Sequence, residues 1–183
     1  MNRRIFFLLL NFIFVAGLYA QRNPEWATPV DAKHAFNLYM VDSGVYRCAQ
    51  PDKAAFAELK QLGIGETVNL RYFKNDRKPA SAADITVHHV KMLAGKSDWD
   101  KLVKTLQIIK NRQGSIVIHC KHGADRTGLV LALYRIVFQE WSREDAIDEL
   151  KNGGYNFHTV YSNIPEFIGN VEIEALKKAV FQD

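Results

Sequence analysis

Cysteine is nearly absent: Cys48 and Cys120 are the only two in 183 residues. Two sulfurs cannot build the disulfide-dense scaffold of small secreted domains. An excess of one charge is missing too. The formal net charge is +4, and Arg3 and Arg4 supply half of it. The remainder is close to balanced, which gives no basis for a nucleic-acid partner. No internal repeat or low-complexity stretch occurs, and nothing between residues 40 and 180 has the composition of a linker. One compact domain over residues 21–183 is therefore expected. His119, Cys120 and His122 are crowded together, but no second ligand pair follows at metal spacing, so no metal is expected.

Long apolar runs are also scarce. Ile5–Ala16 is apolar except for Asn11, follows Asn2-Arg3-Arg4 and precedes Gly17-Leu18-Tyr19-Ala20. It falls short of the ~20 residues that span a bilayer. A basic start, a short apolar core and a small residue at the end predict an export signal over residues 1–20, cleaved after Ala20. The protein is then periplasmic or secreted. It contacts a membrane only if that segment is retained.

What is present is an alternation of helical and strand patterns. Asn37–Val41 and Val45–Ala49 are apolar and β-branched around the turn Asp42-Ser43-Gly44. Ala55, Phe56, Leu59 and Leu62 have helical spacing, ended by Gly63 and Gly65. Thr67–Leu70 predicts a strand, residues 72–84 a polar loop, and Ile85–Met92 a strand in which His88 and His89 face opposite ways. A helix over Asp98–Lys110 and a buried strand over Ser115–His119 follow. Thr127–Phe138 is apolar almost all round, as a core helix is. Ser142-Arg143-Glu144-Asp145 caps a helix ending at Gly153-Gly154, and Pro165 opens a last helix to about Val180. The fold class is α/β: a largely parallel central sheet flanked by helices, with residues 119–128 forming a loop beyond the carboxyl end of a central strand.

That loop, His119-Cys120-Lys121-His122-Gly123-Ala124-Asp125-Arg126-Thr127-Gly128, carries the chemistry. Inward backbone N–H groups from Lys121 to Arg126 and the dipole of the following helix make an anion site. Gly123 lets the backbone turn. Arg126 adds a planar charged fork for two phosphate oxygens. The same field lowers the pKa of a cysteine at a helix amino terminus, making Cys120 a nucleophile. Thr127 can donate its hydroxyl to the sulfur when it leaves, and His119 can hold the loop from behind.

The loop resembles that of the protein tyrosine phosphatase superfamily, in its dual-specificity branch. The resemblance extends through Val45–Pro51, Leu62–Arg71, Ala132–Ser142 and Asn152–His158, and is strongest to bacterial exported phosphatases. It implies cofactor-free hydrolysis of phosphomonoesters through a phosphocysteine, on a phosphorylated protein or a small phosphomonoester. It also implies an aspartate general acid some thirty residues before the cysteine, where Val90–Lys96 has none. Asp98 is the nearest substitute, with an alternative role as a helix N-cap. Asp125, inside the loop, is a rival, with an alternative role as a structural acid. Cys48 stands where relatives commonly have serine. It is either a small buried residue or the partner of Cys120 in a reversible disulfide. Three functions remain open: a phosphotyrosine phosphatase with possible phosphoserine and phosphothreonine activity, an inositol phosphate or phosphoinositide phosphatase, and a phosphate-binding module with weak turnover.

Overall fold

The computed structural model describes residues 22–182, so the expected export signal lies outside the described residues. The strands are β1 (Thr28–Pro29), β2 (Tyr39–Met40), β3 (Val45–Cys48), β4 (Ile64–Arg71), β5 (Thr86–Met92) and β6 (Ser115–His119). They form one sheet in the order β1-β2-β3-β6-β4-β5. The β3-β6-β4-β5 part is parallel, and β1 and β2 add an antiparallel edge. The strand β6 lies in the middle, so its carboxyl end opens between the carboxyl ends of β3 and β4. This is the crevice where open α/β sheets place ligands.

Among the described residues seven α-helices accompany the sheet: α1 (Lys53–Gln61), α2 (Arg77–Ser81), α3 (Trp99–Lys110), α4 (Asp125–Gln139), α5 (Arg143–Asn152), α6 (Asn163–Asn170) and α7 (Ile173–Phe181). Side chains of β6 alternate between two cores. Val117 joins Ala55, Phe56 and Leu59 of α1 on one face. Ile116 and Ile118 join α3 to α7 on the other. Helix α4 is buried almost all round, because it lies between the sheet and the outer helices. Each of its large apolar side chains contributes about 1.5–3 kcal/mol by leaving water.

The structure corrects several expected boundaries. Residues 72–84 contain the short helix α2, whose Pro79 sits in the first turn, where the missing N–H costs nothing. Asn37 is left-handed at φ 54°, which shortens the expected first strand to Tyr39–Met40. Gly63 ends α1 at φ +80°, but Gly65 lies within β4 at a register shift opposite β6. Helix α4 starts at Asp125, two residues before the expected Thr127. The last predicted helix is two, divided by extended Val171. Arg143 donates to the carbonyl oxygens of Gly169 and Val171 there, satisfying the groups that the break exposes.

One polar network crosses this core. Glu149 of α5 accepts from Arg135 Nε at 2.8 Å and Nη2 at 2.9 Å, from Ala27 N–H at 2.7 Å and from Tyr155 Oη at 2.8 Å. Burial pushes its carboxyl up, but Arg135 and the other donors outweigh burial and hold it below the ordinary value of 4.5. Such a group contributes stability above the unfolded pKa and loses it as pH falls through the folded one. Glu149→Ala strands the Arg135 guanidinium, so it should cost about 3–5 kcal/mol in urea unfolding at neutral pH. The wild-type advantage should shrink as the pH is lowered below about 4.5.

Candidate active site

The loop after β6 is built from both sides. Gly123 has φ +70°, and a Cβ there would run into the Cys48 carbonyl and approach Ala49 N at 2.8 Å. Only glycine lets the loop lie this close to the end of β3. Arg47 Nη2 donates to Gly123 O at 2.7 Å, and Gln50 N–H to Lys121 O at 3.1 Å. The Arg47 guanidinium is 3.5 Å from the centroid of the Tyr155 ring, which connects the loop to the Glu149 network. On the opposite face, His119 Nε2 meets buried Asp76 Oδ2 at 3.0 Å, and Gln50 Nε2 donates to Asp76 Oδ1 at 2.8 Å. His119 Nδ1 is 3.4 Å from Cys120 O. His119 thus supports the loop from behind.

Within this frame Cys120 is 1% exposed. Burial pushes its thiol up. The Thr127 hydroxyl and N–H, the Arg126 charge and the His122 N–H oppose burial and prevail, so the pKa lies below the ordinary 9.0. The buried Thr127 hydroxyl has no carbonyl or carboxylate to bond, which leaves it to the sulfur. Arg126 Nη1 reaches Met92 O at 3.2 Å, while its buried Nε has no hydrogen-bond partner among the described residues. The guanidinium is anchored at one end and open at the other. Cys48 is a free, fully buried thiol pushed up by burial first and by the Cys120 charge next.

Lys121, His122, Asp125 and Arg126 line a cavity of about 280 Å³ with Ala94, His158, Val160 and Tyr161. Ala124 is buried as the residue before α4. Asp98 lines a different cavity, with Leu93, Lys96, Ser97 and Lys101. It caps α3, accepting from Lys101 N at 3.3 Å, and pairs with Lys101 Nζ at 2.7 Å. Those contacts, the Lys101 side chain foremost, hold its carboxyl below the ordinary range. Asp125 faces His158, whose Nδ1 is 2.9 Å from both carboxylate oxygens. His88 and His89 are half-buried in β5 against Glu66 Oε2 and Arg71 O, each at 2.7 Å, and take no part.

Arg47, Asp76 and His158 are additions to the expected site. Arg47 had left a signal, since it shares the inward face of β3 with Val45. Asp76 had none, standing in a polar stretch beside a helix too short to show periodicity.

A central parallel strand, an anion-binding loop with a lowered cysteine, and a buried helix define a phosphoester hydrolase of the protein-tyrosine-phosphatase type. The chain belongs to the tyrosine phosphatase family, whose model matches residues 34–181. It is 30% identical over 177 residues to the dual specificity protein phosphatase TpbA of Pseudomonas aeruginosa, covering 95% of this chain and 79% of that one. Crystal structures of TpbA, one of a cysteine-to-serine variant in complex with pTyr, superpose with a TM-score of 0.79 at 29% identity. They cover 88% of this chain and 99% of theirs. The inositol diphosphatase DSP3 of Arabidopsis thaliana is 28% identical over 155 residues, 79% of this chain and 74% of that one.

Proposed function

We propose that this protein is an exported phosphotyrosine phosphatase in which Cys120 forms a phosphocysteine intermediate. The observation that carries the mechanism is the sulfur itself: buried, yet drawn toward the thiolate by Thr127, Arg126 and the loop N–H of His122. Arg126 binds two equatorial oxygens and follows them as phosphorus becomes trigonal, and Thr127 eases departure of the sulfur when water attacks. Export rests on the basic, apolar start of the chain. Among the described residues no helix is long and apolar enough to cross a membrane.

The rim supports an aromatic substrate. Phe36 is 72% exposed and lines an adjoining cavity with Lys121, His122 and His158, and Val160, 79% exposed, lines the phosphate cavity itself. An aryl ring and flanking peptide can cover such apolar surface. The pTyr complex of TpbA points the same way. A second reading, an inositol phosphate, draws on Lys121 at the mouth and on the likeness to DSP3.

The test is kcat/KM, with chelator present, on a phosphotyrosine peptide, the matching phosphoserine peptide and a set of inositol polyphosphates and diphosphates. The phosphotyrosine peptide is expected to lead by about tenfold or more, a margin of ~1.4 kcal/mol. An inositol substrate in first place would replace the reading by the second.

A further inference from the structure

The mechanism needs a proton for the departing oxygen, and neither aspartate foreseen for that role is free to give one. Asp98 is occupied by Lys101 and by the amino end of α3. Asp125 is occupied by His158, which gives it a backbone N–H at 3.0 Å as well as the Nδ1 contacts at 2.9 Å. The exposures differ in a telling way: the Asp125 side chain is 9% exposed and that of His158 is 43%. The carboxylate is the more buried of the two, and the more exposed imidazole faces the same cavity as Asp125, Arg126 and Lys121. A carboxylate against Nδ1 fixes the proton there and leaves Nε2 as the atom that exchanges with a ligand.

The groups facing His158 are Asp125 and Arg126 of α4, His122 and Lys121 of the loop, and Tyr161, whose ring centroid is 6.4 Å away. His122, with ring centroids 5.1 Å apart, is the other imidazole at the mouth. Burial first, then Lys121 and His158, push His122 below its ordinary 6.5, which disfavours its charged form. His122, Asp125 and His158 also bring three ligand-type atoms within 4.8 Å of one another. Arg126, Lys121 and the amino end of α4 make that place suited to anions rather than to a metal cation.

We propose that His158 is the proton donor to the leaving oxygen, positioned by Asp125. The proposal rests on Cys120 as the nucleophile. The sulfur forms a bond to phosphorus as the phosphorus–oxygen ester bond breaks. The electron pair of that bond goes to the ester oxygen, which takes the Nε2 proton, leaving neutral imidazole. In the second step the oxygen of a water forms a bond to phosphorus as the imidazole takes a proton from that water, the sulfur–phosphorus bond breaks with its pair returning to Cys120, and phosphate departs.

The test is a series of aryl phosphates whose leaving phenols span pKa values of about 4 to 10, assayed with wild type, His158→Gln and Asp125→Asn. Here kcat/KM reports the steps up to phosphoenzyme formation. His158→Gln should lose about 10²-fold on the poorest leaving groups and almost nothing on the best. That retained activity also shows the variant to be folded. Asp125→Asn should reproduce the steeper leaving-group dependence. An equal loss across the series, or no loss at all, overturns the assignment. If Cys120→Ser keeps its turnover, the mechanism beneath the proposal has failed instead, whatever the His158 variant does.

Discussion

Cys120→Ser is expected to remove turnover on every phosphomonoester, a loss of about 10⁴-fold or more, with the fold intact. The two side chains are nearly the same size, and the loop is held by backbone contacts to Gly123 and Lys121 that do not involve the sulfur. What changes is acidity. The Thr127 hydroxyl, Arg126 and the loop N–H groups overcome the burial of a thiol. The same contacts act on a hydroxyl that starts far less acidic, and they cannot ionise it near neutral pH. The serine variant should therefore still bind phosphate, and bind it more tightly, because the dianion no longer meets a thiolate. Steady-state kinetics and phosphate titration check both halves. Alkylation by iodoacetate supplies the independent readout. Because the Cys120 pKa is lowered, its rate should reach its plateau at a lower pH than that of an ordinary cysteine, and phosphate should protect it. Cys48, raised by burial and by the neighbouring charge, should stay unmodified until the protein unfolds.

The parts of this site that were legible in advance are those contained in a short span of chain. Cys120 and Arg126 are six residues apart on one strand–loop–helix connection, so the local spacing carries the geometry and tertiary packing only tightens it. Sheet class was legible for a similar reason: strand and helix periods alternate with short connections between them. His158 was not, because it reaches Asp125 across 33 positions, and a lone histidine after Phe157 has no local pattern that says which way it points. Asp125 was singled out as an acid within the loop. Its partner decides what that acid does, and the partner becomes visible only when the turn after α5 folds back over α4. Asp98 shows the converse: a carboxylate before a helical run satisfies the N-cap rule, and the structure seats it there.

Arg126 carries the second large effect. Arg126→Ala should lower kcat/KM by about 10³-fold or more and Arg126→Lys by about 10²-fold, the lysine recovering charge without the fork. The guanidinium stays in place through its 3.2 Å bond to Met92 O at the end of β5, and its Nε is buried without a hydrogen-bond partner among the described residues. A phosphoryl oxygen that meets it gains a charge-assisted hydrogen bond. A lysine ammonium is compact and cannot hold the carbonyl of Met92 while donating to two equatorial oxygens. It should bind the ground-state dianion tolerably and follow the trigonal transition state poorly. The expected signature is a loss that falls more on kcat than on KM for lysine and on both for alanine. A second consequence separates this residue from a purely structural one. Arg126 is among the charges that hold Cys120 below its ordinary pKa, so in the alanine variant the pH at which iodoacetate alkylation reaches half its maximum should rise, while in the lysine variant it should move less. Loss of activity with an unmoved alkylation profile would leave Arg126 as a substrate clamp without a part in activating the nucleophile.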